Sequence, residues 1–195
     1  MEQDRILIVE DERIIALDLK RRLERFGYQV VGMASEADDA IELASNELPD
    51  LVLMDIMLSS ASDGITAATE IRRRNRIPVV FLTAYADEAT IQRAKIAEPV
   101  GYVLKPFKER ELHTTIDIGL YKSRVERELL RQERLFSSIL RSAGDAIVAA
   151  DSGGVIQFMN PVAETLTGWK EDEARGEPVS DVISLIADNT EEPIV

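Results

Sequence analysis

Short apolar runs that stop at a charged side chain constrain this sequence more than any other feature. Ile6–Val9 runs into Glu10 and Asp11, Leu51–Met54 into Asp55, and Tyr102–Leu104 into Lys105. Runs of that length read as buried strands, and a parallel sheet gathers its ligand chemistry at the carboxyl ends of its strands. Three carboxylates and one ammonium are therefore expected at one sheet edge, which is the composition of a magnesium-assisted phosphoryl site.

Up to about residue 108 the runs alternate with amphipathic segments of helical period, the pattern of a doubly wound α/β domain. Strands are expected at 5–9, 28–33, 50–54, 77–82 and 101–104. Ile15, Leu19, Leu23 and Phe26 recur at helical spacing, and Gly27 stands where a left-handed cap would follow. Ser35 with Asp38 is expected to cap a second helix whose inward side carries Ala37, Ile41 and Ala44, and Asp87 to open another before Ala89. Between Glu109 and Arg141 no proline and no apolar run interrupts the charged residues, which predicts one long helix. Val125, Leu129, Phe136 and Ile139, with polar Gln132 among them, follow the alternating spacing of a coiled-coil seam. That seam points to a homodimer, with a single helix packed on its own domain as the alternative. Beyond Ser142, the runs Ala146–Ala150 and Val155–Met159 flank Asp151–Gly154 and predict a hairpin.

The formal net charge of -13 opposes binding to nucleic acid and to anionic membrane surfaces, so a protein partner is expected. No cysteine is present, which removes disulfides, thiolate catalysis and cysteine-ligated metals. The first apolar run is only Ile6–Val9, far short of the ~20 residues that span a bilayer, and a cytoplasmic protein is expected.

A carboxylate attacks phosphorus poorly unless nearby charge is neutralised, because one anion approaches another. A hard divalent cation on oxygen ligands removes that obstacle, and Lys105 and Thr83 could bind the remaining phosphoryl oxygens. With Ile6–Glu12, Leu53–Asp55, Leu82–Ala84 and Leu104–Phe107 as its motifs, the segment from about 4 to 122 resembles the receiver domain of two-component response regulators. The resemblance implies a flavodoxin-like five-stranded parallel sheet and makes Asp55 the phosphoacceptor, fed by a histidine kinase. It implies a Mg²⁺ site in which Asp11 binds directly, Glu10 acts through water, and Met57 lends its backbone carbonyl beside Asp55. Thr83 and Lys105 become the phosphate sensors, Tyr102 the switch aromatic, and the Lys105–Pro106 peptide is expected to be cis. The loop after Asp55 is longer than is usual in this family and lacks its proline. Bulky Met57 and Tyr85 at the positions governing dephosphorylation imply slow self-hydrolysis. His113, the single histidine, is expected to be solvated.

Residues from about 135 resemble the N-terminal half of a PAS domain, through Phe136–Leu140, Asp145–Ile147, Phe158–Glu164 and Leu166–Trp169. The expected organisation is a receiver at 1–122, a signalling helix at 109–141 and a partial α+β PAS unit at 142–195, the front of a longer signalling protein. Its expected role is to relay phosphorylation of Asp55 through the helix to the PAS unit, without other enzymatic activity. Two alternatives stand beside it. One is a metal-dependent phosphatase, although such enzymes want a second Asp where Met57 stands. The other is a PAS ligand sensor whose receiver takes no phosphate.

Overall fold

The apolar runs pair as parallel strands in the computed structural model, which describes residues 3–58, 63–84 and 88–183. The chain divides into two units, Met1–Arg127 and Glu128–Val195. In the first, β1 (Arg5–Val9), β2 (Gln29–Ala34), β3 (Leu51–Asp55), β4 (Val79–Thr83) and β5 (Gly101–Leu104) form one sheet in the order β2-β1-β3-β4-β5. Helices α1 (Arg13–Arg25), α2 (Ala37–Glu47), α3 (Gly64–Asn75), α4 (Glu88–Ala94) and α5 (Glu109–Ser142) alternate with the strands. The flavodoxin-like sheet is thus as expected, with strand limits shifted by one or two residues.

Both sheet faces are covered, which is why the runs are continuously apolar rather than alternating. Leu7, Val9, Val52, Met54, Val79 and Phe81 pack with Ala37, Ala40, Ala44, Ala68 and Ile71 on one side. Their neighbours Ile6, Ile8, Leu51, Leu53, Val80 and Leu82 pack with Leu19, Leu23, Leu112, Ile116 and Leu120 on the other. Small alanines on α2 let that helix lie close to the sheet. Gly27 follows α1 at φ +90, a conformation that L side chains avoid.

Two local expectations need correction. The second helix does not use Ser35 and Asp38 as a capping box; its N-cap is Glu36, with no side-chain cap bond. His113 is not simply solvated. Its ring lies tilted against Phe26 and Tyr28 at centroid distances of 4.7 and 5.8 Å, with the side chain 41% exposed, and its Nδ1 lies 3.5 Å from Asp117. Asp117 also accepts a 2.6 Å hydrogen bond from the Tyr28 hydroxyl. Tyr85 and Asp87 lie outside the described residues.

The long helix spans nearly the range expected for it. Leu129, Phe136 and Ile139, the apolar seam positions in its second half, are all exposed. In the second unit, β6 (Val148–Ala150) and β7 (Ile156–Met159) form an antiparallel hairpin shorter than the runs suggested. It is followed by α6 (Pro161–Thr167), α7 (Glu171–Ala174) and α8 (Val179–Val182). Ile156, Met159, Ala163, Ala174 and Val182 form its core. Fully buried Asn160 organises this unit: Oδ1 accepts from the N–H groups of Ile147 and Ala163, and Nδ2 donates to the carbonyls of Leu140 and Asp145. No helix among the described residues is long and apolar enough to cross a membrane.

Candidate functional site

Strand register determines which side chains meet. Val9 is level with Met54, Asp55 with Leu82, and Thr83 with Leu104. Glu10, Asp55, Thr83 and Lys105 therefore leave the sheet at the same edge. The hydrogen bond from Lys105 N to the Thr83 carbonyl, 2.7 Å, extends the pairing to the end of β5. The Lys105–Pro106 peptide is cis.

The side chains converge as the register dictates. Lys105 Nζ donates to Glu10 Oε2 and to Asp55 Oδ2, each at 2.6 Å. Glu10 and Asp55 are only 2% and 6% exposed, so the ammonium bridges two carboxylates largely removed from water. Charge-assisted bonds of that length are strong, and burial makes both partners depend on them. Carboxylate oxygens of Glu10, Asp11 and Asp55 all lie within 4.8 Å of one another. Thr83 is buried at the same edge.

Burial pushes the Glu10 carboxyl above its ordinary pKa, and the neighbouring Asp55 charge adds to this while the Lys105 hydrogen bond opposes it. For Lys105, burial works against the charged form, yet its hydrogen bonds to Asp55 and Glu10 prevail and its pKa is raised. The ammonium stays charged because the carboxylates hold it.

The donor set suits a hard divalent cation. All three groups offer oxygen, the ligand class that Mg²⁺ takes at about 2.0–2.1 Å. Glu10 Oε1 is buried with no hydrogen-bond partner among the described residues, a costly condition that a bound cation or its water would relieve. Among the described residues, Glu10, Asp11 and Asp55 are a group able to hold such an ion.

Other sequence-derived residues fall at or near the edge. Met57 is 72% exposed, and its backbone N–H donates to Asp55 Oδ1 at 3.0 Å. The Tyr102 ring packs beside Phe81, with centroids 6.0 Å apart. The Tyr102 hydroxyl is buried without a partner among the described residues, and burial raises its pKa.

Sequence reasoning missed Asp63 and Gly64. Asp63 caps α3 by accepting from Thr66 N at 2.9 Å, and its other oxygen pairs with Arg93 of α4. Gly64 packs so tightly on β3 that a Cβ there would stand 1.9 Å from the Asp55 carbonyl oxygen. An Asp-Gly pair just before a helical pattern was the available signal.

A family model, "Response regulator receiver domain", matches residues 6–117, and a second, "PAS fold", matches residues 134–192. The transcriptional regulatory protein PdtaR of Mycobacterium tuberculosis is 39% identical over 120 residues, covering 62% of this chain and 58% of its own length. The phyllosphere-induced regulator PhyR of Methylorubrum extorquens is 34% identical over 117 residues, 60% of this chain and 43% of that protein. The chain thus spans about half the length of these relatives. Among solved structures, the signal receiver domain of a modulated diguanylate cyclase from Desulfovibrio desulfuricans superposes with a TM-score of 0.61 at 37% identity. It covers 64% of this chain and 99% of that one. The N-terminal domain of a response regulator/sensory box/GGDEF protein from Carboxydothermus hydrogenoformans gives 0.57 at 36% identity, over 63% and 99%. The receiver match takes in more than half of the sequence, and a PAS fold follows it: the chain belongs to the response regulator receiver family.

Proposed function

We propose that the first unit is a phosphorylation switch in two-component signalling, with Asp55 accepting a phosphoryl group from a histidine kinase. One Asp55 carboxylate oxygen attacks phosphorus as the bond from phosphorus to the donor imidazole nitrogen breaks, and the imidazole leaves with the electron pair. The observation that carries this reading is the Lys105 ammonium bridging buried Glu10 and Asp55 at 2.6 Å, with Asp11 alongside. A Mg²⁺ ion bound there supplies charge neutralisation between nucleophile and phosphoryl group. Asp11 and Asp55 would hold it directly, Glu10 through water, and Met57 through its backbone carbonyl. Lys105 and Thr83 would bind the phosphoryl oxygens, and Tyr102 would change rotamer as Thr83 moves.

The receiver is assigned to residues 1–122. The helix at 109–141 would carry the change to the PAS portion at 142–195 and pair with a second copy. A cytoplasmic location accords with a kinase partner. Intact mass after incubation with Mg²⁺ and a small acyl phosphate tests the central step. The expected result is a single phosphoryl adduct that is lost in Asp55→Asn. Donor consumption without an adduct would instead indicate a phosphatase, and absence of both would remove the phosphorylation reading.

A further inference from the structure

The part of α5 that belongs to the second unit has its charges sorted by position. Leu129, Leu135, Phe136 and Ile139 are each more than half exposed, and with Gln132 and Glu133 they line a groove of about 470 Å³. Leu129 and Phe136 occupy one heptad seam position, Gln132 and Ile139 the other. Beside the seam stand Glu128, Glu133, Leu135 and Leu140, whereas Arg131, Arg134 and Arg141 fall on outer positions. Arg141 is already engaged by Glu171 at 2.7 Å. Gln132 donates to Glu128 at 3.3 Å, which keeps that carboxylate alongside the seam.

In a parallel, in-register pair, the residue just before Leu129 or Phe136 in one helix meets the residue about five positions further on in the other. Leu135 then meets Leu140 of the second copy, an apolar contact made twice. Glu128 meets Glu133 of the second copy, a repulsion also made twice. The set is self-complementary at one end and self-repelling at the other. We propose that this stripe pairs with the same stripe of a second copy, closing over residues 135–140 and held apart at Glu128 and Glu133. The charge at those two positions then sets how far the helices close. This rests on the homodimer reading above and adds its orientation and its control.

Sedimentation of the full chain tests both parts. Glu128→Lys turns two repulsions into two attractions and is expected to tighten association roughly 10-fold, because like and opposite pairs differ by similar amounts of opposite sign. Glu128→Lys combined with Glu133→Lys restores like charges and is expected to return association to the starting level. The chain has no cysteine, so Ile139→Cys reports orientation cleanly, and oxidation is expected to cross-link it across the parallel seam. A dimer that is indifferent to Glu128→Lys, or that fails to cross-link at Ile139→Cys, overturns the proposed pairing but keeps the dimer. A monomer in every variant overturns the dimer reading itself.

Discussion

Gly64→Ala is the substitution for which the structure gives the most definite expectation. The added Cβ would lie 1.9 Å from the Asp55 carbonyl oxygen, 3.0 Å from the Asp55 carbonyl carbon and 3.3 Å from the Ile56 Cα. All three are backbone atoms, so no flexible side chain can yield. The Gly64 N–H also donates to the Ile56 carbonyl at 3.2 Å, which ties the helix start to the strand end. Relief requires the two backbones to part by roughly 1 Å, at an over-packing cost of about 1–3 kcal/mol, with this case near the top. The strain falls on Asp55, whose 2.6 Å contact with Lys105 leaves little room for displacement. Urea unfolding is expected to show a midpoint shift corresponding to about 3 kcal/mol at unchanged slope, with slower phosphorylation at Asp55. Gly32→Ala is the control, since its Cβ would meet the Leu7 and Leu43 side chains, nearest at 3.1 Å, and these can shift. A Gly64→Ala protein within about 1 kcal/mol of the parent would refute the close approach of α3 to the end of β3.

Three further outcomes are expected. Lys105→Met leaves Glu10 and Asp55 without their shared ammonium and should cost about 3–5 kcal/mol in metal-free buffer, part of it regained with Mg²⁺; melting with and without the ion measures this. Burial and the hydrogen bond to Asp117 raise the Tyr28 pKa above 10, so the folded state holds the phenolic proton more tightly than the unfolded chain. That contribution is complete below pH 10 and is lost as pH rises through the folded value, so Tyr28→Phe should show a shallower alkaline loss of stability than the parent. Asn160→Ala strips partners from Ile147 N, Ala163 N, Leu140 O and Asp145 O at a fully buried position. It should destabilise the second unit by about 2–4 kcal/mol, read from its own unfolding transition.

The sheet and the residues of its carboxyl edge were legible because strands covered on both faces leave continuous apolar runs, and Asp55 and Lys105 end theirs abruptly. Strand order was not legible from pattern, since hydrophobic periodicity carries no information about neighbours; it came with the family resemblance. The Ser35–Asp38 misreading has a local cause. The helix begins at Ala37, so Glu36 holds the cap position and the supposed pair falls out of register. The His113 side chain is 41% exposed, but its aromatic contacts were not legible because they are distant in sequence: Phe26 and Tyr28 reach it only when α5 folds back onto the sheet. Gly64 was overlooked for a related reason, because its need for a missing Cβ arises from the Asp55 backbone and not from its own turn. The heptad spacing of α5 was visible, whereas its relation to charge became clear only with the exposed positions known.

On the proposed reading, Glu10, Asp11 and Asp55 act together as one cation site. Calorimetric titration with Mg²⁺ of the parent chain and of Asp11→Asn decides the matter. A single saturable site in the parent, lost in Asp11→Asn while the melting profile in metal-free buffer is retained, is the expected result. Binding of equal strength and stoichiometry in both proteins would contradict it.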